Sequence, residues 1–105
     1  TIRYLPPERI SDGTSSPAGD IYSAGIILYE MVTGSKPFWS EATGEVIHRI
    51  LKTYPLPPKE ISHEVPRELN VLVMAMIDKD PARRPDLDAI QAELRRLAEK
   101  FPPQP

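Results

Sequence analysis

The 105 residues contain no cysteine, so disulfides and thiolate metal sites are excluded and the redox compartment cannot be read. Aromatic residues are few, at 7%, with a single tryptophan. No apolar run is long enough to span a membrane, and no secretory leader pattern is present. Neither sign of charge dominates. A formal net charge of −2 gives no reason to expect nucleic acid or an anionic membrane surface as a partner. These features set the expectation of a cytoplasmic segment. No stretch alternates with period two for long enough to be a strand, and no internal repeat is visible. The chain opens on Thr1 rather than Met and is expected to be part of something longer. What is abundant is proline, thirteen residues, and these fall between the helical patterns rather than inside them.

The remaining pattern is helical, and one stretch organises it. From Asp20 to Gly34 the residues Ile21, Ala24, Ile26, Ile27, Leu28, Tyr29, Met31 and Val32 cover most of a helix circumference. A helix apolar on nearly all sides belongs in an interior. Asp20 is a suitable N-cap and Gly34 a suitable C-terminal stop. Before this helix, Pro6-Pro7 forces an extended entry, with a helical turn starting at Pro7. Ser11–Gly19 reads as a loop. After it, Ser35–Phe38 turns the chain so that Phe38 and Trp39 can return to the core. Val46, Ile47, Ile50 and Leu51 define a helical face within Ser40–Lys52. Tyr54–Pro58 is an extended connector. Leu69, Leu72, Val73, Met76 and Ile77 define a third helix from Pro66 onward. Asp78–Pro85 is a charged turn, and Asp86 caps a last helix carrying Leu87, Ile90, Leu94, Leu97 and Phe101. Residues 102–105 are expected to fray.

Three separated pieces then align with one family. Thr1-x-x-Tyr4-x-x-Pro7-Glu8 resembles the end of the activation segment of eukaryotic-type protein kinases, including its Ala-Pro-Glu motif. Asp20-x-Tyr22-Ser23-x-Gly25 resembles the start of the long central helix of the kinase C-lobe. Asp80-Pro81-x-x-Arg84-Pro85 resembles the turn that carries the late kinase arginine. Their order and spacing, 12 positions from Glu8 to Asp20 and 64 from Asp20 to Arg84, make the combination specific. Pro6 stands where the family motif has Ala, and Tyr22 where it often has Trp. The chain holds no Gly-x-Gly, Asp-Phe-Gly or His-Arg-Asp, the elements with which a kinase cradles phosphates, holds Mg²⁺ and positions the substrate hydroxyl.

The resemblance implies an all-α chain: the helical C-lobe subdomain of the α+β protein-kinase fold, with 1–105 a partial kinase domain lacking the N-lobe and catalytic loop. It implies no catalytic residue within the chain. Thr1 is expected to contact the absent catalytic Asp, and its pairing with Tyr4 favours Ser/Thr specificity. Ile2, Leu5 and Glu30 are the implied substrate-binding residues, Glu30 alternatively bonding Tyr4. Tyr4, Glu8, Asp20, Gly25, Ile27, Met31 and Arg84 are the implied structural residues. Among them Asp20 would accept catalytic-loop amides, Ile27 and Met31 would underlie a hydrophobic column, and Glu8 would pair with Arg84. ATP and Mg²⁺ are implied for the parent kinase, with none bound by this chain alone. The implied partners are the rest of the kinase domain and a protein substrate. The alternative function is a non-catalytic pseudokinase or truncated-lobe binding module.

Other polar residues have ordinary readings. His48 and His63 are lone histidines in polar surroundings. Asp78, Asp80 and Asp88 fit a solvated turn and a helix N-terminus better than a metal site. Arg95 and Arg96, near Glu93 and Glu99, fit a solvated helix face.

Overall fold

The computed structural model describes residues 2–103. Helices and the turns between them account for all regular structure among these residues. A 3-10 turn, Ile2–Tyr4, leads into α1 (Pro7–Asp12), then α2 (Pro17–Thr33), α3 (Thr43–Lys52), a single-turn α4 (Pro58–Ile61) and α5 (Arg67–Met76). A second 3-10 turn, Pro81–Arg83, precedes α6 (Leu87–Lys100).

The boundaries follow local chemistry. Both α1 and α2 begin on a proline, whose missing N–H costs nothing in the first helical turn. Gly13 and Gly34 close them in the left-handed conformation, at φ 74° and 71°. The start of α2 corrects the sequence expectation. The cap is Ser16, whose hydroxyl accepts the Gly19 amide, and Asp20 lies a full turn inside the helix. Ser16-Pro17 is the stronger start signal, because it combines a capping hydroxyl with a proline already set at helical φ. Asp86 does cap α6, accepting the Ala89 amide at 2.8 Å. The connector after α3 is not extended throughout, since Pro58 nucleates α4.

α2 is the axis of the fold and packs most extensively on α5. Tyr22, Ile26 and Tyr29 on one face of α2 join Phe38, Val46, Ile50, Val73 and Ile77 in the main core. Leu72, Met76 and Ile90 form a smaller cluster where α6 meets α5, with Ile21 and Leu28 packed against it. The Tyr29 hydroxyl donates to the Leu56 carbonyl at 2.6 Å and so fastens the connector to the core helix.

One expectation about the core is corrected. Trp39 does not return to it but lies 53% exposed, while Phe38 is buried. The helix α2 is not covered all round. Asp20, Ala24, Ile27 and Met31 are exposed, and at spacing i, i+4, i+7, i+11 they form one stripe. The elements of this chain pack on the other faces, so the apolar circumference exceeds the cover available.

Gly25 shows how close α2 and α5 run. A Cβ at this position would stand 2.8 Å from both Ile77 Cγ2 and Met76 Cβ. Alanine normally stabilises a helix relative to glycine by about 1 kcal/mol, but here overpacking, typically 1–3 kcal/mol, opposes it against atoms held by the core. Gly25→Ala is therefore expected to lower the thermal midpoint of the full-length protein, whereas Gly44→Ala, with open space around its Cα, is expected to raise or preserve it.

Candidate functional site

The site is built from two polar clusters on the same side of α2. The first centres on Arg84. Its side chain is fully buried, so every N–H must find an acceptor inside the protein. All five do. Nε donates to the Asp78 carbonyl at 2.7 Å. Nη1 donates to Glu8 Oε2 at 2.8 Å and to the Ala18 carbonyl at 2.9 Å. Nη2 donates to Glu8 Oε1 at 2.9 Å and to the Lys79 carbonyl at 3.5 Å. The Glu8 contacts are the paired parallel bonds that a planar guanidinium makes with a carboxylate. Residues 76 positions apart in sequence thus close one ring of contacts.

Local structure aims both partners. Asp80 caps the Pro81–Arg83 turn by accepting the Ala82 amide at 3.0 Å, and that turn points Arg84 inward. Pro7 starts α1 and places Glu8 on its first turn. The absence of a side chain at Gly19 leaves room: a Cβ there would lie 3.2 Å from Pro6 Cγ and 3.6 Å from Glu8 Oε2. The Arg84 guanidinium lies 4.9 Å from the centroid of the Tyr22 ring, on its face. Bonds from Arg84 hold the Glu8 carboxyl below its ordinary pKa, against a smaller opposing effect of burial. Tyr22 itself is buried with its hydroxyl unpartnered among the described residues, and that burial pushes its pKa well above the ordinary tyrosine value.

The second cluster joins the Ile2–Tyr4 turn to the C-terminal half of α2. The Tyr4 hydroxyl donates to Glu30 Oε1 at 2.8 Å, and Arg3 Nε donates to Glu30 Oε2 at 3.3 Å. Arg3 also reaches the Tyr4 oxygen, at 2.6 Å, and stacks 4.5 Å from its ring centroid. The bond to Glu30 raises the Tyr4 pKa, since ionising the phenol would set two negative charges together. Ser23 donates to the Tyr4 backbone carbonyl at 2.7 Å. Glu30 thus bonds Tyr4, the second of its two sequence-level options. Ile2 is half-buried against the core and Leu5 is exposed at the end of the turn.

The structure therefore brings Glu8 to Arg84 and Tyr4 to Glu30. It sets Asp20, Ile27 and Met31 on the exposed stripe of α2, with Ile27 49% and Met31 75% exposed. Thr1 lies outside the described residues. Sequence reasoning missed Arg3, Ser23, Ala18 and Gly19. Ser23 was legible in part, because it sits inside the Asp-x-Tyr-Ser-x-Gly motif. The acceptor role of the Ala18 carbonyl carries no side-chain signal. Among the described residues no group of three or more His, Cys, Asp or Glu is placed to hold a metal ion, and no helix is long and apolar enough to cross a membrane.

An all-helical base, with a proline-glutamate helix start bolted to a late arginine, is the architecture of a protein-kinase C-terminal lobe. The comparison with protein families agrees: residues 1–94 match the family described as "Protein kinase domain", and the chain belongs to that family. Among its curated relatives, a Clostridium perfringens protein named a probable serine/threonine-protein kinase is 38% identical over 84 residues, covering 80% of this chain. Serine/threonine-protein kinase PknL of Mycobacterium tuberculosis is 32% identical over 102 residues, 96% of this chain. Serine/threonine-protein kinase PknB of Mycobacterium leprae is 30% identical over 105 residues, 99% of this chain. The chain spans only 12%, 26% and 17% of these three relatives, respectively.

Removing one partner of a buried ion pair strands the other charge, at a cost of roughly 3–5 kcal/mol. Arg84→Ala is expected to destabilise the full-length protein by that order in chemical denaturation. Arg84→Lys keeps the charge but cannot supply five donors, and is also expected to melt below wild type. The pair also carries a pH dependence. The folded pKa of Glu8 is depressed, so its contribution is complete above the unfolded glutamate value near 4.5 and is lost as pH falls through the folded value. Glu8→Gln is expected to flatten the acid limb of the stability profile.

Proposed function

We propose that this chain is part of a serine/threonine protein kinase that transfers the ATP γ-phosphate to a protein substrate, and that residues 1–105 supply its substrate platform and structural base. The observation that carries this reading is the double fastening of the Ile2–Glu8 segment. Tyr4 is bonded to Glu30 and Ser23, and Glu8 to Arg84. A segment that must present itself to a substrate peptide gains from such anchoring, because geometry held in advance is not lost when the substrate binds. In this reading Ile2 and Leu5 line the pocket for the residue after the phosphorylated one. Glu30 orders that pocket through Tyr4, and Thr1 meets the catalytic Asp.

The exposed stripe of Asp20, Ala24, Ile27 and Met31 faces the rest of the kinase domain. There Asp20 accepts catalytic-loop amides, and Ile27 and Met31 meet apolar cover. The described residues do not fit ATP and Mg²⁺ themselves, since they carry neither a glycine-rich phosphate loop nor a carboxylate cluster. Nucleotide and metal belong to the remainder of the domain, and residues 1–105 alone are inactive. Apolar side chains left on the stripe also make the isolated chain prone to associate.

Two arms test this reading. The full-length protein is expected to transfer labelled phosphate from ATP to a Ser/Thr peptide mixture, and purified residues 1–105 to transfer none. Tyr4→Phe deletes the bond to Glu30, a loss of roughly 0.5–3 kcal/mol, and is expected to lower peptide kcat/KM while leaving the KM for ATP within about twofold. Absence of transfer by the full-length protein, with its fold intact by circular dichroism, would favour the non-catalytic binding module instead.

A further inference from the structure

Arg3 and Arg84 use their guanidinium groups in opposite ways. Arg84 directs all five N–H groups at acceptors inside the protein. Arg3 uses two among the described residues: the Nε–H on Glu30 Oε2 at 3.3 Å, and one Nη2 N–H on the Tyr4 oxygen at 2.6 Å. Both Nη1 N–H groups and the second on Nη2 have no acceptor there. Such N–H groups of a fixed cation suit an anionic oxygen, because charge-assisted bonds are the stronger ones.

Arg3 also faces a groove. Between the Ile2–Tyr4 turn and the start of α3 lies a cleft of about 210 Å³ walled by Ile2, Trp39, Val46 and Thr43, with Arg3 and Glu41 as its charged lining. That is smaller than the roughly 300–1,000 Å³ of small-molecule sites, and it suits a side chain rather than a nucleotide. Trp39 is set in place as a wall. Its carbonyl accepts from Arg49 Nη1 at 2.9 Å, and the Lys36 ammonium lies 5.2 Å from its ring centroid.

Glu30 lies behind Arg3 and does not line the groove. Each of its oxygens already has a donor, Tyr4 on Oε1 and Arg3 on Oε2. A basic side chain arriving here would therefore meet the cation, not the carboxylate. The Arg3 and Glu30 side chains are 20% and 19% exposed, so Arg3 is reachable yet less screened than a fully solvated charge. Glu41 opposes an anion, but it is exposed, and its charge is the more screened of the two.

We propose that Arg3 is a specificity-determining residue: with residues 1–105 serving as a kinase substrate platform, as read above, it masks Glu30 and selects an acidic side chain, Asp or Glu, for the groove beside Trp39. The carboxylate accepts from the unused Nη groups while the carbon chain of the same residue lies along Trp39 and Val46. Charge complementarity, rather than the apolar walls, names the occupant.

The test uses the full-length protein, labelled ATP and Ser peptides in which each flanking position is set in turn to Glu, Gln or Arg. At one flanking position Glu is expected to exceed Arg about fivefold in kcat/KM, the size a partly exposed charge pair supports. Arg3→Ala is expected to bring that ratio within about twofold of one, Arg3→Glu to invert it, and Arg3→Lys to keep Glu preferred. Glu41→Gln is expected to increase it, and raised salt to shrink it in the wild type. A wild-type ratio near one at every position would overturn the role of Arg3. So would a ratio that Arg3→Ala leaves unchanged while all peptides slow together, since that marks a merely structural residue. In both cases labelling of the peptides would still uphold phosphoryl transfer. No labelling of any peptide by the folded protein would overturn the kinase reading and the role of Arg3 with it. If the Arg3 variants do not fold, the salt dependence of the wild-type ratio and its response to Glu41→Gln decide.

Discussion

A guanidinium with no exposed surface is the constraint on which the rest of this structure depends. An ion that far from water is tolerable only if its charge is matched and all its N–H groups are used. Arg84 meets both conditions, but only with four other residues in place. Glu8 must come from α1, the Ala18 carbonyl from the first turn of α2, and the Asp78 and Lys79 carbonyls from the turn itself. The bonds are directional, so they fix register where apolar packing alone would tolerate sliding. A buried ion pair is often no more stabilising than a well-packed apolar substitute, and what the directional bonds here define is a single arrangement.

That arrangement carries consequences outward. Because Glu8 is held, Pro6-Pro7 and the Ile2–Tyr4 turn are held, and Tyr4 arrives at Glu30 on the far half of α2. Because α2 and α5 approach closely enough to exclude a Cβ at Gly25, the turn after α5 lies beside the first turn of α2. Lys79 then passes the connection on to α3. Core packing and polar ties are thus successive links of one chain, running from the base of the lobe to the Ile2–Glu8 segment.

Much of this was legible in the sequence. Helices α3, α5 and α6 follow from apolar spacing, with Asp86 and Gly34 as punctuation. The juxtaposition of Glu8 and Arg84 followed from three motifs in order, not from any local signal. The start of α2 was misjudged because Asp20 looked like a cap, while Ser16-Pro17 carried the better pair of signals four residues earlier. Trp39 was misjudged for another reason. Hydrophobicity says that a residue is better covered, but not whether this chain supplies the cover. Arg3, Ala18 and Lys79 were invisible because two of them act through backbone carbonyls and the third through a contact whose partner sequence distance conceals.

The most direct measurement of the central constraint is a double-mutant cycle in the full-length protein, comparing Glu8→Gln, Arg84→Met and the double variant by chemical denaturation. If the buried pair fixes the segment, each single change is costly and the double is much less so than their sum, giving a coupling of about 2 kcal/mol or more. Additive losses, with coupling within about 0.5 kcal/mol of zero, would show that Glu8 and Arg84 act independently and would contradict the role assigned to them.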